Sequence, residues 1–259
     1  MAPKIALHDP VLGPLTDDLL TRDVRVYQRA KGHRFSSDDV ATAYVAFRAC
    51  SNARRVLDLG CGLGSVLLHL AWKLPEAELT GVEAQSVSFE LLKRNVARSG
   101  FATRVQIHHG DLRDAALLAS LGGGFELVTG TPPYFPPEAA LDAEDEQRAY
   151  ARIEYRGGVE AYIEAGARML APDGVLVLCG DARVGERTTL AAEASGLAIH
   201  ARCDVIARAG RSPLFSVWSL RREPAALALS ALTLRCENGE TGPGANALRE
   251  FSGMAQIFS

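Results

Sequence analysis

The sequence predicts an α/β fold in which helices cover both faces of a mostly parallel sheet. Five short apolar segments read as strands, at 55–59, 77–83, 104–108, 125–129 and 174–179. The segments 65–74 and 86–99 lie between them and have helical spacing instead. Strands that alternate with helices form parallel sheets, because each crossover helix returns the chain to the end of the sheet where the previous strand began.

Three further apolar segments follow these strands. They begin at Leu197, Leu214 and Leu227, and the last of them could add an edge strand. The N-terminal region differs, because a turn-rich start and a basic segment precede an apolar helix. We interpret residues 1–52 as an N-terminal cap on a main domain that spans residues 53–259, the two forming one structural unit.

The helix of the N-terminal region is predicted to run from Ser37 to about Ala49. Ser37 is the expected N-cap, since serine hydroxyls accept hydrogen bonds from free amides of the first turn. Asp38 and Asp39 follow at the positive end of the helix dipole, where a negative charge is stabilising.

The composition is that of a globular protein with enough apolar residues for a full core. Of 259 residues, 47% are hydrophobic and 23% are charged, and the net charge of −3 excludes a uniformly basic surface. No apolar segment approaches the roughly 18 residues that span a bilayer. The N-terminal segment is too polar and proline-rich for a signal peptide, and the five cysteines form no C-x-x-C pair. We therefore expect a reduced cytoplasmic protein with no membrane segment, disulfide framework or metal.

A glycine loop follows the first strand of the main domain. Asp58 precedes Gly60, Gly62 and Gly64, which have the spacing G-x-G-x-G. A dinucleotide-binding fingerprint would need glycine where Ser65 stands. The spacing instead resembles motif I of class I S-adenosyl-L-methionine (SAM)-dependent methyltransferases. The methionine part of SAM carries a cationic amine, which Asp58 would help to hold through the loop.

Two further acids lie at or just after the ends of the next two strands. Glu83 is placed to accept hydrogen bonds from both ribose hydroxyls, as an acid does at that point of nucleotide-binding α/β folds. Asp111 follows the third strand, where the resemblance puts the adenine amino group. A nicotinamide cofactor and a structural coincidence are the alternatives, but the order of loop, acid and acid favours SAM. The predicted cofactor-binding residues are Asp58, Gly60, Gly62, Gly64, Glu83, Ala84, Asp111 and Leu112.

A proline motif follows the fourth strand and consists of Thr131, Pro132, Pro133 and Tyr134. It resembles the Asn/Asp-Pro-Pro-Tyr/Phe motif of methyltransferases that act on a planar nitrogen: adenine N6, cytosine N4 or the amide of glutamine. Such a nitrogen is a poor nucleophile, because its lone pair is delocalised. Hydrogen bonds from its N–H groups to the Asn/Asp side chain and the first proline carbonyl localise the lone pair. The aromatic residue stacks on the flat substrate, which contributes about 1–3 kcal/mol for a base.

Thr131 departs from this motif, which has Asn or Asp at its first position. A threonine hydroxyl can accept a hydrogen bond, but it is shorter and a weaker acceptor than an amide carbonyl. Three interpretations stay open: an active enzyme with Thr131 as a poorer acceptor, a different target atom, or a SAM-binding protein with little activity. The two prolines alone would also fit a rigid loop with no catalytic role.

The resemblance extends over most of residues 15–250. Segments 15–18, 31–38, 147–152 and 232–235 resemble one family, the bacterial tRNA (adenine-N6) methyltransferases that modify a valine tRNA beside its anticodon. The resemblance implies a class I methyltransferase (Rossmann-like) fold, with a seven-stranded, mostly parallel sheet whose last strand is antiparallel. It also implies an N-terminal cap that covers the cofactor, and RNA as the substrate.

Basic residues agree only in part with an RNA substrate. Arginines and a lysine cluster between Arg22 and Arg34, where they could contact phosphate or form a solvated face. Arg148 and Arg152 lie four residues apart on a predicted helix, in a region that covers the substrate pocket in the resembling family. They could bind phosphate or pair with nearby acids at Glu144, Asp145 or Glu154. The predicted substrate-binding residues are Arg34, Arg148 and Arg152.

The sequence thus predicts a SAM-dependent N-methyltransferase of the EC 2.1.1 class, acting on adenine N6 in tRNA or another structured RNA. Two alternatives stay open. The acceptor could be a protein glutamine or a small planar molecule, or Thr131 could mark a SAM-binding protein that has lost this activity.

Overall fold

The computed structural model describes residues 5–139 and 145–254. The strands are β1 (Leu7–Asp9), β2 (Gly13–Leu19), β3 (Arg25–Arg29), β4 (Arg55–Leu59), β5 (Glu78–Glu83), β6 (Val105–His109), β7 (Phe125–Gly130), β8 (Leu170–Gly180), β9 (Ala198–Ile206), β10 (Phe215–Arg221) and β11 (Ala228–Thr233). The α-helices are α1 (Ser37–Ala49), α2 (Ser65–Lys73), α3 (Ser86–Arg98), α4 (Ala115–Ser120), α5 (Glu146–Arg152), α6 (Val159–Met169), α7 (Gly185–Ala194) and α8 (Pro243–Phe251). No helix of these described ranges has the length and apolar character needed to cross a bilayer.

The central sheet has the strand order β6-β5-β4-β7-β8-β10-β9-β11. Strands β4 to β8 are parallel, whereas β10 is antiparallel to both of its neighbours, β8 and β9. The predicted α/β class is confirmed, and β10 is the antiparallel strand that ends the expected set of seven. Strand β11 adds an eighth strand parallel to β9, within the segment where an edge strand was suggested.

The apolar segments of the sequence become the interior of this sheet. Leu57, Leu127 and Val177 are fully buried, because helices cover both faces. Such two-sided burial explains why these strands read as continuous apolar runs rather than as alternating patterns.

Helix α1 spans Ser37–Ala49 as predicted, but its N-cap lies one residue earlier than expected. Its N-cap is Ser36, not Ser37, and the Ser36 amide donates a hydrogen bond to Asp39 Oδ2 at 2.9 Å. Asp39 is therefore turned back toward the helix start and is buried. The helix packs on α2 and on β7, β8 and β10 of the central sheet.

The three-stranded sheet of β1, β2 and β3 is joined to the glycine loop through one side chain. Asn95, on α3, accepts a hydrogen bond from the Tyr27 amide at 2.7 Å. Its amide group donates to the carbonyl of Leu63 at 2.9 Å. This side chain links the N-terminal sheet to the glycine loop, while the division of the chain at residue 52 stays a prediction.

Candidate active site

A cavity lies at the carboxyl ends of β4, β5 and β6; we call it the cofactor cavity. Six of the eight predicted cofactor residues line it, namely Gly60, Gly62, Glu83, Ala84, Asp111 and Leu112. Asp58 and Gly64 lie outside the lining. The three strand ends meet at this edge because the strands are parallel neighbours, as the sequence argument requires.

The glycine loop has a backbone conformation that residues other than glycine would adopt only with strain. Gly60 has a φ of +60°, and a Cβ atom at this position would lie 2.2 Å from the hydroxyl oxygen of Tyr162. Gly62 also has a positive φ, of +58°. Glycine is required at Gly60 for both conformation and space, which is the physical basis of the sequence motif.

Glu83 is buried beside this loop and binds two backbone amides. Its Oε2 accepts a hydrogen bond from the Gly62 amide at 2.8 Å, and its Oε1 accepts one from the Gln85 amide at 2.6 Å. Burial raises the pKa of Glu83, although these two amides stabilise its charged form. The carboxylate thus fixes the loop while it borders the cavity.

Asp58 is fully buried behind the loop rather than on the cavity wall. Its Oδ1 accepts a hydrogen bond from the Thr129 hydroxyl at 2.8 Å, whereas its Oδ2 has no partner among the described residues. Burial raises the pKa of Asp58 to about 7, and the charges of Asp39 and Glu83 add to the rise. Asp58 can therefore act on a ligand only through its field or through the loop.

Asp39, predicted from the sequence only to stabilise the helix dipole, is also a carboxylate of the site. It lines the cofactor cavity, and its Oδ1 accepts a hydrogen bond from the Ser65 hydroxyl at 2.6 Å. Burial raises the pKa of Asp39 to about 7, with the neighbouring charge of Asp38 adding to the rise. Asp39 lies far from the glycine loop in the sequence, so no local pattern predicts that it reaches this cavity.

Asp111 has a different environment from the other three acids. It is half-buried, and the Arg113 guanidinium donates to both of its carboxylate oxygens, at 2.9 and 2.7 Å. These hydrogen bonds hold the pKa of Asp111 below its usual value. Asp111 is therefore charged at neutral pH and already paired with a cation.

A second cavity adjoins the first; we call it the acceptor cavity. Pro132 and Tyr134 line it, Pro133 lines the cofactor cavity, and Thr131 lines both. The residues common to the two cavities are His33, Asp39, Thr131 and Ala151. The first residue of the proline motif thus stands where the two cavities meet.

The proline motif is held from two sides. The Tyr134 hydroxyl donates to Cys179 Sγ at 3.0 Å and faces Asp38 Oδ2 at 3.4 Å. The backbone amides of Tyr134 and Phe135 both donate to the carbonyl of Arg152, at 3.2 and 3.0 Å. These contacts fix the half-buried Tyr134 ring on the wall of the acceptor cavity.

The three predicted substrate-binding arginines all line the acceptor cavity. Arg34 is paired with Asp18 at 2.9 Å. The exposed side chains of Arg148 and Arg152 form no ion pair in the part of the chain that the structure describes. Asp145 and Glu154, suggested as their partners, pair with Arg29 and Arg187 instead, and Glu144 lies outside the described residues.

Most of the basic N-terminal cluster is neutralised by acids. Arg22 pairs with Asp23 at 3.3 Å, and Arg25 pairs with Asp17 at 3.2 Å. Such pairs reduce the positive potential that could attract RNA to this surface.

Further residues of the cofactor cavity come from α5 and the segment after it. Gln147 is buried and donates a hydrogen bond to Ser88 Oγ at 3.2 Å, which ties α5 to the start of α3. Tyr150 also lines the cavity, with the Arg156 guanidinium 4.5 Å from its ring centre. In the sequence, segment 147–152 is marked only by its resemblance to the family, and no pattern predicts a role for Gln147, Tyr150 or Arg156. Within residues 5–139 and 145–254, no group of three or more His, Cys, Asp or Glu side chains could hold a metal ion.

Comparison with known proteins gives the same class of domain. Residues 56–143 match the family described as "Methyltransferase domain". Over 131 residues the chain is 35% identical to a tRNA1(Val) (adenine(37)-N6)-methyltransferase of Porphyromonas gingivalis, an alignment that covers 50% of this chain and 51% of that protein. The chain thus spans about half the length of this relative. Over 195 residues it is 29% identical to the Yersinia pestis enzyme of the same name. This alignment covers 74% of this chain and 76% of that protein.

Solved structures share the fold at lower identity. A predicted O-methyltransferase from Agrobacterium tumefaciens matches with a TM-score of 0.64 and 20% identity, over 83% of this chain and 96% of that chain. A methyltransferase subunit of a type I restriction-modification system from Streptococcus thermophilus matches with a TM-score of 0.60 and 15% identity. The match covers 88% of this chain and 53% of that chain. The chain therefore has the class I methyltransferase fold, the kind that uses SAM as its methyl donor, and its residues 56–143 match a methyltransferase domain; in sequence it resembles the tRNA1(Val) adenine-N6 methyltransferases.

Proposed function

We propose that this protein is a SAM-dependent methyltransferase that modifies the exocyclic N6 of an adenine in RNA, with tRNA as the favoured substrate. One observation carries the proposal: a cofactor cavity and an acceptor cavity meet at Thr131 of the proline motif. The printed names of the sequence relatives support adenine N6 as the target and tRNA as the substrate.

The residues around the cofactor cavity fit SAM. Three buried carboxylates, Asp39, Asp58 and Glu83, have raised pKa values, and one Asp58 oxygen lacks a partner among the described residues. A buried cluster of this kind favours a cationic ligand, because the positive charge offsets the repulsion between the acids. Bound SAM would supply an electrophilic methyl group beside Thr131.

Each wall of this cavity would hold a different part of SAM. Asp39 and Asp58 provide the negative field for the cationic methionine end. Glu83 keeps acceptor capacity for ribose hydroxyls, since each carboxylate oxygen has two lone pairs and uses one on a backbone amide. Asp111 and Leu112 border the place where the adenine ring would lie.

The acceptor cavity would orient the target amine. The Thr131 hydroxyl and the Pro132 carbonyl would accept the two N–H groups, and the fixed Tyr134 ring would contact the flat base. Most of the rate enhancement would come from holding nitrogen and methyl in line. No strong base is needed, because the methylated amine can lose its proton to water.

RNA binding would use the arginines of the acceptor cavity. Arg148 and Arg152 have no ion pair among the described residues, so they are available for phosphate. Phosphate contacts of this kind make affinity dependent on salt. A tRNA substrate also implies that the enzyme works in the cytoplasm.

Two alternatives that the sequence leaves open find no support in the compared proteins. These are a protein-glutamine or small-molecule acceptor, and a SAM-binding protein without activity. The test offers radiolabelled SAM to total tRNA, ribosomal RNA and protein extract in parallel. We expect label in an RNA fraction, recovered after digestion as N6-methyladenosine. Label in protein alone, or none with SAM binding verified by calorimetry, would overturn the proposal.

Variants of Thr131 sharpen this test. Thr131→Val is close to isosteric but cannot accept a hydrogen bond, so we expect it to lower kcat about five- to tenfold, the effect of one hydrogen bond. Thr131→Asn restores the residue of the motif and should raise kcat. Both variants should bind SAM as the wild type does, which separates an effect on the acceptor from a loss of cofactor.

A further inference from the structure

His33 stands at the junction of the cofactor and acceptor cavities. It lines both, as does Thr131. In the described part of the chain, no hydrogen bond or ion pair engages its ring. An imidazole at the meeting point of two cavities, with no protein partner there, is free to contact whatever occupies them.

The surroundings keep this imidazole neutral. Burial lowers the pKa of His33 below 6.5, and the charges of Arg152 and Arg148 on α5 lower it further, while Asp38 on α1 opposes them. Near neutral pH the ring therefore carries one N–H donor and one nitrogen with a lone pair.

The other polar side chains of the junction are already engaged. The two carboxylate oxygens of Asp39 accept from the Ser65 hydroxyl and from the Ser36 amide. The hydroxyl of Tyr134, on the acceptor wall, is bound to Cys179. This leaves Thr131 and His33 as the polar side chains of the junction that have no hydrogen-bond partner in the described part of the chain.

We propose that His33 contacts the acceptor directly: its unprotonated ring nitrogen shares with the Thr131 hydroxyl the N–H group of the target amine that the Pro132 carbonyl does not bind, and it orients the nitrogen lone pair toward the methyl group. His33 would thereby supply the strong neutral acceptor that is missing when Thr131 replaces Asn or Asp. The inference rests on the proposed function, since it concerns the amine of the same substrate.

The backbone around His33 is fixed without help from its side chain. A Cβ atom at Gly32 would lie 2.1 Å from Gln147 Oε1, so this glycine is packed against α5. On the other side, the Arg34 guanidinium donates to the Thr16 hydroxyl at 2.8 Å. The Phe35 amide donates to Gln28 Oε1 at 2.8 Å. Variants of His33 should therefore fold and keep the loop in place.

The test compares His33→Phe, which keeps a ring but has no acceptor, with His33→Gln, which keeps an amide oxygen. His8→Phe is the matched control, because His8 is exposed on β1, outside both cavities. We expect His33→Phe to lower kcat about tenfold to hundredfold, with little change in SAM affinity, and His33→Gln to recover part of the loss. At saturating SAM, kcat of the wild type should also fall as the pH drops below about 6.5, a dependence absent in His33→Gln.

A second readout needs no methyl donor. Addition of adenosine monophosphate should shift the ring ¹⁵N resonances of His33 and leave those of His8 unchanged.

The outcomes separate the two proposals. If the wild type methylates no RNA, the proposed function fails and this inference fails with it. If the wild type methylates RNA but His33→Phe keeps its kcat and its pH dependence, only the inference fails. It also fails if the entire loss in His33→Phe is in SAM affinity, which would make His33 a wall of the cofactor cavity.

Discussion

The amide of Gly62 donates a hydrogen bond to Glu83 Oε2 at 2.8 Å, which joins the glycine loop to the end of the neighbouring strand. The second oxygen of Glu83 binds the Gln85 amide at the start of α3. One carboxylate therefore holds two segments of the cofactor cavity and faces the cavity itself.

Replacement of this carboxylate should weaken SAM binding. In Glu83→Gln one oxygen becomes an amide nitrogen, which cannot accept from a backbone N–H, so one buried amide loses its partner. We expect SAM affinity to fall about tenfold to hundredfold, corresponding to the roughly 1–3 kcal/mol of an unsatisfied buried group. Calorimetric titration with SAM measures it. Glu78→Gln, an exposed position on the same strand, is the control; equal affinities in the two variants would contradict the assignment.

The buried acids predict a pH dependence of SAM binding. Asp39 and Asp58 have pKa values of about 7, and a cationic ligand would lower both. Binding should therefore release protons, and affinity should rise with pH between about 6 and 8. For the protein without ligand the sign is reversed: the folded state holds these protons more tightly, so stability from these two groups falls as pH rises from 3.8 toward 7.

Calorimetry at several pH values checks this dependence. Asp58→Asn should flatten the curve, because it removes one of the titrating groups. Asp111→Asn should weaken binding without changing the slope, since the pKa of Asp111 lies below its usual value and the group does not titrate in this range. A SAM affinity that does not change with pH would show that the ligand leaves these acids unaffected.

The arginines of the acceptor cavity predict a salt dependence of RNA binding. Each of Arg148→Gln and Arg152→Gln should weaken tRNA binding and lower the slope of log affinity against log salt by about 0.7–0.9, the value for one lost phosphate contact. Arg25→Gln is the matched control, because Arg25 already pairs with Asp17. Fluorescence anisotropy over a range of salt concentrations measures the slopes. Equal slopes in all three variants would exclude a role of α5 in phosphate binding.

The cofactor cavity was largely predictable because its signals are local. Gly60, Gly62 and Glu83 lie at the ends of neighbouring parallel strands, so their sequence positions determine that they meet. The orientation of Asp58 was not predictable in this way. It depends on a hydrogen bond from Thr129, on a strand that comes 71 residues later in the chain.

The junction was much less predictable, because it is formed by packing. Asp39 and His33 reach the cavities only because α1 packs on the central sheet and α5 packs against Gly32. Neither contact has a periodicity or spacing that marks it in the sequence. The cap of α1 was misplaced by one residue for a related reason, since two adjacent serines offer equal capping groups and the turn of Asp39 toward Ser36 decides between them.

The burial of His69 is expected to reduce the stability that this residue contributes in mild acid. It is fully buried on α2, with Nδ1 3.0 Å from the Ser65 carbonyl and Nε2 3.1 Å from the Ser252 hydroxyl. Burial lowers the pKa of His69 from 6.5 to about 4, so between these values the unfolded chain binds a proton that the folded protein does not. The contribution is complete above 6.5 and is lost as the pH falls toward 4, up to about 3 kcal/mol. Urea unfolding near pH 7.5 and 5 is compared in the wild type and His69→Gln, because Asp39 and Asp58 titrate alike in both proteins. Between these pH values the free energy of unfolding should fall more, or rise less, in the wild type; an equal change in both proteins would contradict the assignment.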